Sequence, residues 1–247
     1  MIRLLVAALL LPLTAQAAEI RVLTAGAYKA VLTAMAPGFE KQTGHTLRVQ
    51  TDTAGGVLQT MRAGEAVDVV ILTPAGVESL GALVRPGSMR ELARVGIAVA
   101  VRQGAPRPDI STPDGIRAAV VAARAPAWID PAAGGSSGIY MDKLWERWGI
   151  ASLVLPKAVL VKGGLVADKL LDGTADLAFQ QASELTGVPG VVVVGLLPAE
   201  IQNETTYAGA VTARSTQSAA TDLLAYLAGP YAAVPLAKRG MMEPAPR

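Results

Sequence analysis

Ile20-Arg-Val-Leu-Thr-Ala-Gly-Ala27, followed by Phe39-Glu-Lys-Gln-Thr-Gly44, Thr46-Leu-Arg-Val-Gln-Thr51 and Val67-Asp-Val-Val-Ile-Leu72, decides the fold class. The apolar runs at 20–24, 46–51 and 67–72 predict strands, and 29–41 and 57–63 between them predict helices. In the first helix Val31, Leu32, Met35, Ala36 and Phe39 recur at helical spacing, and Gly44 supplies the stop. Strand, helix, strand, helix, strand is the pattern of an α/β fold built on parallel pairing.

Downstream, 97–101 reads as a buried strand, and Gln103-Gly-Ala-Pro-Arg-Pro-Asp109 then breaks all periodicity before Thr112-Pro-Asp-Gly opens a helix. That break predicts a first crossing between two lobes. The second lobe continues with a strand near Trp128-Ile129, a helix over 138–148, a strand at 159–161 and a helix over 165–171. Strands at 177–179 and 191–194 follow, 205–212 is read as the return crossing, and helices over 217–227 and 231–238 close the chain. The expected division is 18–100 with 208–247 for the first lobe and 101–207 for the second, with hinges near 99–102 and 207–211.

Ahead of the first strand, Arg3, the apolar run Leu4 to Leu13 and Ala15-Gln-Ala17 have the order of a cleavable export signal, assigned to residues 1–17. The run is shorter than the roughly 20 residues that span a bilayer. Export places the mature chain in the periplasm. Removing the segment takes one base from the 22 Lys and Arg that face 20 Asp and Glu, so the mature balance is +1. So small an excess announces no nucleic-acid partner. The absence of cysteine excludes disulfides and thiolate metal sites, and a single histidine, His45 in a helix exit loop, excludes a multi-histidine centre. No metal and no cofactor is expected. With few aromatics the core is expected to be Ala, Val, Leu and Ile.

Three strand-to-helix junctions are rich in small residues: Thr24-Ala-Gly-Ala27, Thr53-Ala-Gly-Gly56 and Asp130-Pro-Ala-Ala-Gly-Gly-Ser-Ser-Gly138. Each leaves N–H groups free at a helix N-terminus, where negative charge is favoured, and together they predict an anion cleft beyond the carboxyl ends of the strands. Neither nucleotide glycine motif occurs. Gly134-Gly-Ser-Ser-Gly138 matches the Gly-x-Ser-x-Gly elbow around Ser136, but the one histidine precedes it, against the chain order of that hydrolase fold.

These segments, with Ala66-Val-Asp-Val-Val70 and Gly173-Thr-Ala-Asp-Leu-Ala178, make the chain resemble the type II periplasmic binding proteins, specifically the molybdate-binding-protein-like branch. The resemblance spans Glu19 to Pro244. It implies two lobes, each a mostly parallel sheet flanked by helices, and a monomer that captures a small anion for an ABC-type permease. Carried over by position, Ala25, Gly26 and Ala27 with Thr53, Ala54, Gly55 and Gly56 are the first-lobe contacts. Ala133, Gly134, Gly135, Ser136 and Ser137 with Gln180 and Gln181 are the second-lobe contacts, and Tyr207 lies near the return crossing.

Molybdate receptors of the branch carry a serine after the alanines of the first loop and paired serines in the second, where this chain has Gly26-Ala27 and Thr53-Ala54, and Gln180-Gln181 adds amides suited to carboxylates. The departures favour an organic acid. A relative in the branch is an aconitate isomerase, which implies an alternative to the receptor: interconversion of cis- and trans-aconitate by a base beside a carboxylate. Asp52, Asp130 and Glu184 are the candidate bases, and Arg62 and Arg94 are candidates to grip a polycarboxylate. With no base readable together with a partner, the sequence alone leans to the receptor and leaves the catalytic residue unknown.

Overall fold

The computed structural model describes residues 17–245, so the export signal read over 1–17 lies, except for Ala17, outside the described residues. In chain order the first half holds β1 (Glu19–Ala25), α1 (Gly26–Thr43), β2 (Thr46–Asp52), α2 (Ala54–Arg62), β3 (Val69–Leu72), α3 (Pro74–Glu78) and β4 (Arg90–Val95). Then come β5 (Ile97–Arg102), α4 (Pro113–Ala122), β6 (Pro126–Ile129), α5 (Ser136–Arg147), α6 (Ala151–Val154), β7 (Val159–Val161), α7 (Ala167–Leu171), β8 (Leu177–Gln181), α8 (Ala182–Leu185) and β9 (Val191–Leu196). The chain ends with β10 (Thr205–Val211), α9 (Ala219–Leu227), α10 (Ala233–Lys238) and β11 (Met241–Met242).

Two sheets result, in the orders β11-β4-β10-β3-β1-β2 and β7-β6-β8-β5-β9. Helices flank both, as expected of a two-lobed α/β chain. The sheets are mixed rather than mostly parallel: β1 pairs in parallel with β2 and β3, and β6 with β7 and β8, whereas β10, β4, β11, β5 and β9 enter antiparallel. Strands joined through helices within one sheet run the same way, β1 to β4 in the first and β6 to β9 in the second, because a crossover through a helix returns the chain in the same direction, and β5 and β10 run against them. Strands delivered from the opposite sheet arrive from the other end.

Sheet membership also locates the crossings. β5 hydrogen-bonds to β8 and β9, so the chain leaves the first sheet at Gly96, ahead of the boundary read at 100. β10 lies inside the first sheet between β3 and β4, so the return precedes Thr205 rather than running through 205–212.

Local chemistry fixes the ends of these elements. Gly44 closes α1 in the left-handed region at φ 75°, its N–H bonded to Glu40 O. Thr53, Thr73 and Thr112 each cap the helix that follows by accepting from the N–H three residues on. In the first lobe Val31, Leu32, Met35 and Phe39 of α1 are buried with Ile20 and Val22 of β1. The second core departs from the aliphatic expectation: the Trp145 ring packs edge-on against Trp128 and Phe179 at centroid separations of 6.0 and 5.5 Å.

Candidate functional site

A cavity of about 520 Å³ opens where the carboxyl ends of β1, β2, β6 and β8 converge. The N-termini of α1, α2 and α5 face it, contributed respectively by Gly26 and Ala27, by Ala54, and by Ser136 and Ser137. Of the residues expected at the site, Ala25, Gly26, Ala27, Thr53, Ala54, Gly135, Ser136, Ser137, Gln181 and Tyr207 line it. Gly55, Gly56, Ala133, Gly134 and Gln180 do not.

Each of these five has another place. Gly55 and Gly134 lie backbone to backbone: a Cβ on Gly55 would stand 2.8 Å from Ala133 O, and one on Gly134 would stand 2.9 Å from Gly55 Cα. They let the two glycine-rich loops touch. Gly56 abuts the Asp52 carboxylate. The buried Gln180 amide stands behind the wall, accepting from Val166 N at 2.8 Å and donating to Gly164 O at 3.1 Å. It thereby holds the 164–166 turn, whose Gly164 and Leu165 line the wall.

Polar atoms on the wall form two sets. Gln181 Nε2 donates to Ser136 Oγ at 3.0 Å and to Thr205 Oγ1 at 2.9 Å, tying β8 to α5 and β10. Gln181 Oε1 and Ser183 Oγ are buried without a hydrogen-bond partner among the described residues. Buried polar atoms are rarely left so, and both residues face the cavity. Thr53 Oγ1 accepts from Gly56 N, which leaves its own hydroxyl proton to donate.

Glu184 in α8 is the unusual group. It lines the cavity and approaches the first loop so closely that a Cβ on Gly26 would lie 2.7 Å from its Oε1. No Lys, Arg or His makes an ion pair with it among the described residues. Burial pushes its carboxyl up to about 8, against a smaller opposing effect of the Gln180 amide. Burial, then the nearby Glu184 charge, also raises the Tyr207 phenol, which keeps it a neutral donor.

The other candidate bases are spent locally. Asp52 lines the cavity but accepts from Thr53 N at 2.7 Å, and Asp130 caps the turn after β6 by accepting from Ala132 N at 2.9 Å. Arg62 is exposed at the end of α2, and Arg94 pairs with Glu204 at 2.6 Å, both away from the cavity. His45 accepts from Ala18 N at 3.1 Å in its loop. Two cations that the sequence reading did not single out line the cavity instead, Lys29 at the rim and Arg239. Among the described residues no three His, Cys, Asp or Glu side chains gather as a metal-ligand set.

A family model described as bacterial extracellular solute-binding protein matches residues 20–242. The chain belongs to this family. Among curated relatives, the aconitate isomerase of a Pseudomonas species is 35% identical over 234 residues, covering 91% of this chain and 87% of its own. The solved periplasmic molybdate-binding protein of Azotobacter vinelandii superposes with a TM-score of 0.76 at 20% identity, covering 91% of this chain and 99% of its own. Peb3 from Campylobacter jejuni superposes at 0.68 with 13% identity, covering 91% and 100%. Both structural likenesses establish the two-lobed fold of the periplasmic binding proteins. Among the described residues no helix of this family member is long and apolar enough to cross a membrane.

Proposed function

We propose that the protein is exported to the periplasm, takes an unsaturated tricarboxylate into the cleft, and interconverts cis- and trans-aconitate with Glu184 as the proton-transferring base. One observation carries the reading: a carboxyl without a cationic partner sits in the wall of an anion-type cavity, its pKa pushed up to about 8. A receptor for an anion gains nothing from a carboxyl aimed at its ligand, whereas a base beside an activated C–H needs one. The 35% identity to an aconitate isomerase supports the same choice. It reverses the lean toward a receptor, which rested on finding no base with a readable environment.

The chemistry is a 1,3-proton shift. Ionised Glu184 removes a proton from the methylene carbon, and the electron pair spreads over the three-carbon unit into the carboxylate at its far end. The carboxyl then returns the proton to that far carbon. The C–H and double bonds have exchanged places, no atom is gained or lost, and the re-formed double bond takes either geometry. In this reading Tyr207, Ser136 and Ser183, all in the cavity wall, donate to the carboxylates on which charge accumulates.

Purified protein given either isomer is expected to convert it, followed by ultraviolet absorbance against a heat-killed control. Turnover should climb with pH toward a plateau above about 8, since only the ionised carboxyl accepts the proton. Saturable binding of aconitate or molybdate with no conversion would leave a receptor that serves an ABC-type permease.

Thr53→Ala tests the second loop. Its hydroxyl both caps α2 and has a proton to give, so the change should weaken aconitate binding roughly tenfold by calorimetry. It should also cost about 1 kcal/mol of stability through the lost cap. Unchanged affinity would remove Thr53 from the site.

A further inference from the structure

We infer that Arg239 reads one carboxylate of the ligand and sets the preference for tricarboxylates over dicarboxylates. This rests on the proposed aconitate chemistry and adds the residue that selects the substrate class. Arg239 follows α10, on the side of the first sheet, and reaches the connection between α8 and β9 of the second. There its Nη1 donates to Thr186 O at 3.0 Å. Gly187, at φ 79°, leaves the room: a Cβ there would lie 3.0 Å from Nη1. The guanidinium is therefore pinned at one nitrogen while it lines the cavity, and it is half-buried.

Two features point to a ligand carboxylate as the missing counterpart. Arg239 makes no ion pair among the described residues, although a partly desolvated guanidinium is stabilised by an anion. Its remaining N–H groups form a planar fork that matches a carboxylate in two parallel hydrogen bonds. The other charged side chains on the wall do not serve this role as well. Lys29 is exposed at the rim, Asp52 bears the wrong sign, and Glu184 stands two residues before Thr186, where it repels a carboxylate unless protonated. A fixed cation on the same cavity wall orients a tricarboxylate so that its carbon backbone, rather than another carboxylate, meets Glu184.

Methylfumarate and methylmaleate keep the aconitate skeleton but replace its carboxymethyl arm with a methyl group, so they isolate the third carboxylate. The unsubstituted protein is expected to bind aconitate about 10–100-fold more tightly than either. Arg239→Ala should erase that preference, losing the same factor for aconitate while holding the methyl dicarboxylates within about threefold, and Arg239→Lys should recover part of it. Thermal melting of both variants checks that the fold is intact. Equal losses for tri- and dicarboxylates, or no loss for either, would overturn the assignment of Arg239 while leaving aconitate turnover by the unsubstituted protein in place. Failure of the unsubstituted protein to bind aconitate at all would overturn the parent reading and this one together.

Discussion

Glu184→Gln is expected to lower aconitate turnover by about 10²–10⁴-fold while leaving aconitate bound at least as tightly as before. The substitution keeps size and hydrogen-bonding capacity but cannot take up a proton. A general base contributes that range in rate. Binding should survive because the carboxyl opposes the ligand's charge rather than attracting it, and near or above pH 8 the amide should bind better than the ionised acid. A loss in kcat with KM unchanged or lowered is the signature of a group needed only as charge develops. A loss of affinity with kcat preserved would place the base elsewhere.

The same variant carries a stability signature of definite sign. The Glu184 pKa is about 8 in the folded protein against an ordinary 4.5, so between those values the folded state holds a proton that the unfolded state has released. Stability then falls as pH rises through that window, the reverse of a salt-bridged carboxylate. Glutamine has no such dependence. The melting temperature of Glu184→Gln should match the parent near pH 4 and exceed it by at least roughly 3 °C at pH 8.5, the sign being fixed by the raised pKa of the folded state. An equal difference at both pH values would mean that the carboxyl is not held protonated by the fold.

Which parts of this picture the chain disclosed follows from the range of the interactions involved. β1, α1, β2, α2 and β3 were readable because period and glycine punctuation are local, and so were the glycine-rich loops that follow β1, β2 and β6. β4, Arg-Glu-Leu-Ala-Arg-Val, was missed because three charges in six residues hide a strand that exists through pairing with β10, more than a hundred residues on. The crossings were displaced for a related reason, since a strand beside a hinge belongs to whichever sheet completes its hydrogen bonds. Gln180 and Gln181 could have been separated from the sequence, because neighbours on a strand face opposite sides and only one can meet the cleft. Lys29, Ser183 and Arg239 carried no signal, for their role depends on which distant wall they face, and the partial burial of Glu184 is likewise a property of the folded whole.

Gly138 shows how a glycine read as a soft anion loop can instead be a packing device. It is the third residue of α5, and a Cβ there would overlap the carbonyl oxygen of Ile129 at the end of β6. Gly135 is pressed against the Ile129 side chain in the same way, with its Cβ position 2.6 Å from Cγ2. The first turn of α5 is therefore seated directly on the strand, and that seating aims Ser136 and Ser137 into the cavity. Backbone cannot yield as the tip of a flexible side chain can, so Gly138→Ala must push the helix start away from β6. The shift would open the hydrogen bond from Gln181 to Ser136 and leave buried polar groups unsatisfied. The expected cost is about 3–4 kcal/mol, seen as a melting temperature lower by roughly 10 °C. Because displacement of about 1 Å at positioning groups is enough to cost around 10²-fold in rate, kcat/KM for aconitate should fall by at least that factor in the molecules that still fold. A Gly138→Ala protein that melted within 2 °C of the parent and kept its activity would show that α5 is not clamped to β6, and that the second-lobe wall of the cleft is positioned by something else.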